Sequence, residues 1–229
     1  MEFFGTFFTK TKDGAYVPTT LGVIAIIVLM VILLAIASFI IGSKKKKKKS
    51  TKQLAVSALL IAIAFMVMEF FPPLFKMPFG GTVTIFGMFF ATLIGYYYGI
   101  GPGILSCVAL GLLNLIIDPY VLTLPQLLVD YPLAFGALGL SGIGYHFDKK
   151  HKYGGLVIGY ICGVLGRYFF AFLSGWIFFG EYAWKGWGAV SYSLAYNGAY
   201  LGAEAGITLI IILIPQVQKA VKYVKTQVN

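Results

Sequence analysis

One stretch of the chain reads Leu156-Val-Ile-Gly-Tyr-Ile-Cys-Gly-Val-Leu-Gly-Arg-Tyr-Phe-Phe-Ala-Phe-Leu-Ser-Gly-Trp-Ile-Phe-Phe179, which is 24 residues with a single charge, Arg167. A helix of this length rises about 36 Å, at about 1.5 Å per residue, and the hydrocarbon core of a bilayer is about 30 Å thick. The whole chain of 229 residues is 59% hydrophobic and 11% charged, with a mean hydropathy of +0.86. A soluble domain of this size cannot bury so much apolar surface. The sequence therefore predicts an all-α integral membrane protein.

Further apolar runs of similar character predict seven membrane spans. The candidate spans are Leu21–Ile41, Leu54–Phe71, Val83–Ile100, Ile104–Ile117, Leu124–Tyr145, Leu156–Phe179 and Tyr196–Ile214. A lysine-rich linker separates the first span from the others, so we expect two units. Residues 1–50 form an extra N-terminal transmembrane helix with its polylysine linker, and residues 51–229 form a six-helix bundle.

Basic residues are distributed unequally between the predicted loops. With the N-terminus outside and the C-terminus inside, 13 lysines fall on the cytoplasmic side and four on the outer side. Such a bias is typical of membrane topology, so the net charge of +10 does not indicate binding to nucleic acid. The run Lys44–Lys49 is read first as an orientation signal; binding to anionic membrane lipids is the alternative.

The block Tyr182–Gly198 carries two tryptophans and three tyrosines but is interrupted by glycines and by Lys185. It is too polar for a plain span and too aromatic for a solvated loop. Aromatic rings with a few polar groups, held at the mouth of a helix bundle, suit a small flat organic ligand. The block therefore predicts one wall of a binding pocket.

Ionisable side chains within membrane spans are costly, so each is a candidate for function. The candidates are Glu69, Asp130, Arg167 and Glu204. Glu69 lies at the outer end of its span and is expected at the interface; a role in gating or ligand binding is the alternative. For Glu204, structural and functional roles are weighted equally. By residue count, Arg167 is expected nearer the cytoplasmic end of its span.

Asp130 is the strongest of these candidates. Thr123-Leu-Pro-Gln126 has the pattern of a capping box, which starts a helix about one turn before Asp130 near the outer face. A structural ion pair with Arg167 is one reading. The favoured interpretation is a binding site for an organic cation, because a carboxylate among aromatic rings combines charge pairing with cation–π attraction.

Enzyme signatures are absent from the sequence. The histidines, His146 and His151, both fall in a predicted cytoplasmic loop, and there is no HExxH, GxSxG or phosphate-binding GxxxxGK[ST] motif. We therefore expect no enzymatic activity, no metal site and no cofactor. Membrane transport or capture remains as the class of function.

Four stretches, with their order and spacing, resemble one family. They are Lys76–Thr84, Gln126–Gly136, Arg167–Gly175 and the end of the block at Gly198. The chain from about Lys52 onward resembles the thiamine-specific substrate-binding component (S-component) of energy-coupling factor (ECF) vitamin transporters. This resemblance implies a six-helix fold in the bacterial plasma membrane that captures thiamine with high affinity at the extracellular side. It also implies a transmembrane coupling protein and two ATPase subunits as partners, with ATP hydrolysed by those subunits.

The resemblance assigns substrate-binding positions residue by residue. They are Tyr120, Asp130, Tyr131, Arg167, Gly175, Phe179, Trp184, Tyr192 and Asn197. Asp130 would face the cationic thiazolium of thiamine, and Tyr192 and Asn197 could hydrogen-bond its aminopyrimidine. The few basic residues favour thiamine over its diphosphate.

Two positions depart from the family pattern. Ala171 stands where many members have a histidine, and Phe179 stands where some have a tryptophan. Loss of both rings would weaken stacking by about 1–2 kcal/mol, or about ten-fold in affinity. Trp176, one turn away, is expected to compensate.

The resemblance also implies that Ala58-x-x-x-Ala62 docks on the coupling protein; packing within the chain is the alternative. A gate over the pocket is expected in Phe71–Gly81, read as a loop without regular hydrogen bonding. Two other functions stay open: the same fold with a thiamine precursor or another flat cation as cargo, and a membrane scaffold or lipid-binding protein in which Lys44–Lys49 is the active feature.

Overall fold

The computed structural model describes residues 2–10, 16–26, 28–29, 32, 47–150 and 154–228. At the N-terminus, helix α1 (Glu2–Phe7) leads into strands β1 (Phe8–Lys10) and β2 (Tyr16–Pro18), which pair antiparallel. Residues 20–26 are helical. The rest of the predicted span Leu21–Ile41 lies largely outside the described residues, as do the first three lysines of the polylysine run.

The bundle begins at Lys47 and contains six helical units before a final surface helix. Their bounds are α2 (Lys47–Glu69), α3 (Gly87–Tyr98), α4 (Ile100–Ile117), a broken helix (Leu124–Lys150), α8 (Gly155–Phe178) and α9 (Ala189–Ile212), followed by α10 (Pro215–Val228). The broken helix consists of α5 (Leu124–Leu128), a π turn (Val129–Leu133), α6 (Ala134–Gly136), a 3-10 segment (Ala137–Ser141) and α7 (Gly142–Lys150).

Within the described residues, four helices are long and apolar enough to span a membrane. They cover Thr51–Glu69, Ile100–Ile117, Leu124–Asp148 and Gly155–Phe178. Helices α9 and α10, which meet at an angle of 87°, add a fifth span if they count as one bent unit. The all-helical membrane fold is therefore confirmed, with four to five apolar spans; the count of seven and the orientation stay predictions.

The third predicted span, Val83–Ile100, is wrong in its length. Helix α3 has only 12 residues, or about 18 Å, because the chain before it folds into strands β3 (Phe75–Lys76) and β4 (Thr82–Val83). The fourth span is correspondingly longer than predicted. Gly99, at φ 96°, makes a sharp turn out of α3, and α4 starts at once at Ile100. Pro102 is tolerated because it lies in the first turn of α4.

Strands β3 and β4 form a small antiparallel hairpin, here called the lid hairpin. Its backbone bonds include Leu74 N–H to Val83 O at 2.9 Å and Met77 N–H to Gly81 O at 2.7 Å. The expectation of a loop without regular hydrogen bonding is therefore wrong for this segment. Gly80, at φ 98°, supplies the left-handed conformation that its turn needs.

Helix α9 starts earlier than predicted. It begins at Ala189 rather than at Tyr196, so the second half of the aromatic block forms its first turns. A short 3-10 turn, Gly180–Tyr182, follows α8 and ends at the first residue of the block. The pocket wall predicted for this block is therefore supplied by the first turns of α9 rather than by a separate segment before the helix.

The N-terminal segment packs against the outside of the bundle. Phe8 and Ile26 are buried in one hydrophobic cluster with side chains of α4, the segment before α5, α5 and the π turn, which are Leu112, Leu115, Val121, Leu127 and Tyr131. The described part of the extra N-terminal unit thus contacts the bundle.

A polar cluster fastens α10 to the bundle. Lys225 forms an ion pair with Asp148 at 3.0 Å, and Tyr96 OH donates to the same carboxylate at 2.7 Å. Burial lowers the pKa of Lys225, and the hydrogen bond to Asp148 acts against that shift. These contacts join α10, which follows α9 after an 87° bend, to α7 and α3.

The centre of the bundle depends on close backbone approach. A Cβ atom at Gly139 would lie 2.0 Å from the backbone nitrogen of Ile104, so the 3-10 segment of the broken helix touches α4 directly. Small residues of this kind allow tight helix packing in lipid, where no hydrophobic force drives helices together.

Gly139→Ala is expected to lower the thermal unfolding midpoint of the detergent-purified protein by at least about 4 °C. The added methyl group forces α4 and the broken helix apart, at a cost of about 1–3 kcal/mol. Gly101→Ala is the matched control, because a Cβ there meets no atom within 4 Å. Equal midpoints for the two variants would contradict the packing described here.

Candidate functional site

A cavity of about 310 Å³ lies beneath the lid hairpin. The end of α2, the hairpin, the end of α4, the broken helix, α8 and α9 all contribute to its walls. It is large enough for one small ligand and lies at the lower end of the range that is usual for such sites, about 300–1,000 Å³.

The structure brings together eight of the nine predicted substrate-binding residues. Those that line the cavity are Tyr120, Asp130, Tyr131, Arg167, Gly175, Phe179, Tyr192 and Asn197. Trp184 does not line it. Its ring meets the Tyr192 ring edge-on, with 5.3 Å between centroids, and the side chain is 45% exposed. Trp184 therefore supports Tyr192 from outside the cavity.

Ala171 lines the cavity, but Trp176 does not replace the ring missing there. Trp176 stacks on Phe172 at a centroid distance of 5.9 Å and is 45% exposed. The expected compensation by Trp176 is therefore wrong. Instead, Phe179 stacks with Tyr120 at 5.9 Å between centroids, and both rings line the cavity.

Asp130 lies in the π turn, where Pro132 interrupts the regular helix. Half of the predicted capping box forms upstream: Gln126 N–H donates to the Thr123 hydroxyl at 3.3 Å, but the Gln126 side chain accepts from Leu122 N–H at 2.9 Å instead of from Thr123 N–H. The Gln126 side-chain amide then donates both to Asp130 and to Tyr120 O, the latter at 3.0 Å. Gln126 thus holds the Asp130 carboxylate in a fixed position relative to the backbone of Tyr120.

Tyr131 positions the segment that carries Tyr120. Its hydroxyl accepts a hydrogen bond from Tyr120 N–H at 2.7 Å and donates to Asp118 O at 3.2 Å. The side chain is almost fully buried. Tyr131 therefore acts on the site through backbone placement as well as by lining the cavity.

Arg167 is the thirteenth of the 24 residues of α8, so it lies at mid-helix rather than near one end. Its guanidinium carbon is 4.2 Å from the centroid of the Phe135 ring, a cation–π contact. The ion pair found among the described residues joins Asp148 to Lys225. No ion pair joins Arg167 to Asp130 there. The structural-pair reading of Asp130 is therefore wrong.

Gly175 allows α8 and α9 to approach at the cavity. A Cβ there would lie 2.3 Å from Ser193 Oγ and 2.9 Å from Asn197 Nδ2. Ser193 donates to Phe172 O at 2.7 Å, and the Asn197 amide donates to Ser193 O at 2.9 Å. These bonds hold the Asn197 side chain in a defined orientation.

The sequence did not single out several residues that line the cavity. Tyr196 and Tyr200 continue the line of Tyr192 along α9, with centroid distances of 5.6 Å and 5.8 Å between successive rings. Their spacing of four residues is the signal that could have found them, because such positions share a helix face. Asn114 in the last turn of α4 and Asp118, the residue directly after that helix, also line the cavity.

Glu69 and Glu204 both line the cavity. Glu69, the last residue of α2, is half-buried and accepts a hydrogen bond from the Asn114 side chain; its position at the membrane interface stays a prediction. Glu204 is almost fully buried and accepts from Thr84 and from Met88 N–H. With Asp118 and Asp130, four carboxylates line the cavity against two cationic side chains, Lys76 and Arg167.

The part of the chain that the structure describes contains no metal centre. No three His, Cys, Asp or Glu side chains there converge on a possible ion.

Ala58 and Ala62 are exposed on the outer face of α2, so the reading as intramolecular packing is wrong.

Comparisons with known proteins agree with this geometry. A family model described as thiamine transporter protein (Thia_YuaJ) matches residues 54–224. The chain is 34% identical over 146 residues to the thiamine transporter ThiT of Bacillus subtilis (strain 168), covering 60% of this chain and 76% of the relative. It is 30% identical over 139 residues to ThiT of Lacticaseibacillus paracasei, covering 56% and 69%.

A solved structure of ThiT from Listeria monocytogenes has the same fold. It superposes with a TM-score of 0.59 at 26% identity, covering 70% of this chain and 90% of the other. Together with the family match over residues 54–224, the chain therefore belongs to the thiamine transporter family and is a multi-pass protein of the bacterial cell membrane that takes part in thiamine transport and is not an enzyme.

Proposed function

We propose that the chain binds thiamine in the cavity under the lid hairpin and is the substrate-capturing subunit of an ATP-driven ECF-type importer. The observation that supports this most strongly is the excess of carboxylates over cationic groups in a cavity walled by aromatic rings. That combination suits a flat organic cation of small size.

The thiazolium ring carries a permanent positive charge, and Asp130 is its proposed partner. The carboxylate is held by the Gln126 amide, while Tyr120 and Phe179 lie stacked in the same cavity. A charge pair and a ring contact in a site closed to water reinforce each other. The Tyr120–Phe179 stack supplies an aromatic surface where the family pattern of histidine and tryptophan is missing.

The aminopyrimidine ring needs hydrogen-bond partners at its edge. Asn197 and Tyr192 are the proposed partners, since both line the cavity from α9. Asn197 is held by Ser193, so the cost of ordering its amide is already met before the ligand arrives. The diphosphate of thiamine is disfavoured, because four carboxylates would face its anionic tail.

Delivery into the cell requires partners that lie outside this chain. The exposed Ala58 and Ala62, one turn apart on α2, form a small-residue face on which a transmembrane coupling protein could pack closely. Two cytoplasmic ATPase subunits would complete the importer. The proposal includes capture from the extracellular side with the N-terminus outside, and the excess of lysines in the predicted cytoplasmic loops supports this orientation.

A second candidate cargo is favoured by Ala171. Its small side chain lines the cavity where family members place a ring, which leaves space for a different flat cation or a thiamine precursor.

Calorimetry of the detergent-purified protein distinguishes thiamine from the second candidate cargo. We expect thiamine to bind below micromolar concentration; binding of a pyrimidine precursor at that level without binding of thiamine would show the second cargo instead.

Asp130→Asn is expected to weaken thiamine binding by at least about 30-fold, or about 2 kcal/mol, because the cation then lacks its charge partner. Binding of an uncharged isostere, with thiophene in place of thiazolium, should change much less. Glu181→Gln is the matched control, since Glu181 is exposed and outside the cavity. Equal losses for the charged and uncharged ligands would remove Asp130 from the role of charge partner.

Gly175→Ala is expected to weaken thiamine binding by about ten-fold, because the new methyl group displaces Ser193 and Asn197. Gly198→Ala is the control, since a Cβ there meets its nearest atom, on Tyr168, at 3.8 Å. Titration of both variants by calorimetry checks this. Unchanged affinity in Gly175→Ala would show that Asn197 does not depend on this approach.

The double variant Ala58→Leu, Ala62→Leu is expected to bind thiamine normally but to lose most thiamine uptake in cells. The larger side chains obstruct close packing of the coupling protein on α2. The control is Ala199→Leu, Ala203→Leu, which makes the same change on an exposed face of α9. Normal uptake by the first variant at equal expression would refute docking through this face.

A further inference from the structure

Glu204 is an unusual residue for its place in the fold. It lies within the apolar helix α9, is 3% exposed and lines the cavity. A carboxylate in such surroundings is unfavourable unless hydrogen bonds satisfy its oxygens. Its partners therefore indicate what the side chain does.

The partners of Glu204 lie on both sides of a single strained residue. One oxygen accepts from Thr84 N–H at 3.3 Å and from the Thr84 hydroxyl at 2.7 Å, and the other accepts from Met88 N–H at 2.8 Å. Between them, Phe86 has φ 70°, the left-handed conformation that residues other than glycine seldom adopt. Phe86 is also the residue at which the lid hairpin turns into α3.

Tyr196 makes a second connection from the same helix to the lid hairpin. Its hydroxyl accepts from Gly81 N–H at 3.0 Å and donates to Pro78 O. Tyr196 and Glu204 are eight residues apart, about two helical turns, and so lie on one face of α9. That face holds the tip of the hairpin through Tyr196 and its base through Glu204.

We propose that Glu204 is a positioning residue that holds the lid hairpin over the ligand cavity. It does so by fixing the left-handed turn at Phe86 through Thr84 and Met88. When this hold is lost, the base of the hairpin is released, the cavity opens more often, and bound ligand leaves faster. The identity of the ligand rests on the proposed function; the hold on the hairpin does not.

The first measurement needs no ligand. In ligand-free protein in detergent, hydrogen exchange is followed at the Leu74 and Met77 amides, which bond to Val83 O and Gly81 O rather than to Glu204. Glu204→Gln and Thr84→Val are each expected to speed exchange at these amides by about ten-fold, and Thr84→Ser, which keeps the hydroxyl, should restore slow exchange. Thr92→Val is the control: Thr92 is also a buried threonine of this region, but it bonds to Phe89 O and lies outside the cavity wall.

The second measurement is the rate of thiamine dissociation in the same variants, expected to rise about ten-fold in Glu204→Gln and Thr84→Val with little change in the association rate. Unchanged exchange at Leu74 and Met77 in folded Thr84→Val would overturn the proposal, even if Glu204→Gln did not fold. Faster exchange without faster dissociation would also overturn it. If the native protein fails to bind thiamine, the proposed ligand is wrong, and the exchange measurement still decides the role of Glu204.

Discussion

A charged side chain in an apolar helix bundle must find polar partners within the protein, because lipid supplies none. This constraint accounts for much of the architecture. Asp130, Arg167 and Glu204 come from three different helical units and meet at one cavity. The breaks in regular structure, which are the π turn at Asp130 and the lid hairpin, also line that cavity. Irregular backbone in this bundle is thus concentrated at the site.

The aromatic residues give the polar cavity its shape. Tyrosines 192, 196 and 200 form one side along α9, and the stack of Tyr120 on Phe179 forms another. Two tyrosines that line the cavity also order its backbone: Tyr131 bonds to the segment before α5, and Tyr196 bonds to the lid hairpin. A site built in this way is largely ordered before its ligand arrives, which reduces the entropy lost on binding and suits high-affinity capture.

The resemblance placed Arg167, Gly175 and Phe179 in the site, and their spacing explains why a single helix brings them to one cavity. Arg167, Ala171, Gly175 and Phe179 recur every four residues and all line the cavity. Trp176 is five residues from Ala171, about 140° around the helix, and therefore points elsewhere. The shortness of α3 was not predictable in this way, because the turn at Phe86 depends on Glu204, 120 residues from Thr84 in sequence. The same holds for Glu69, whose partner Asn114 lies 45 residues away.

The central claim is that the cavity under the lid hairpin carries thiamine. Native mass spectrometry of the protein, purified in mild detergent from cells grown with thiamine, tests it most directly. The account predicts a mass increment of one thiamine per chain that is lost on exhaustive dialysis and restored by added thiamine. A phosphorylated thiamine, a different organic molecule, or no increment after thiamine is added back would contradict it.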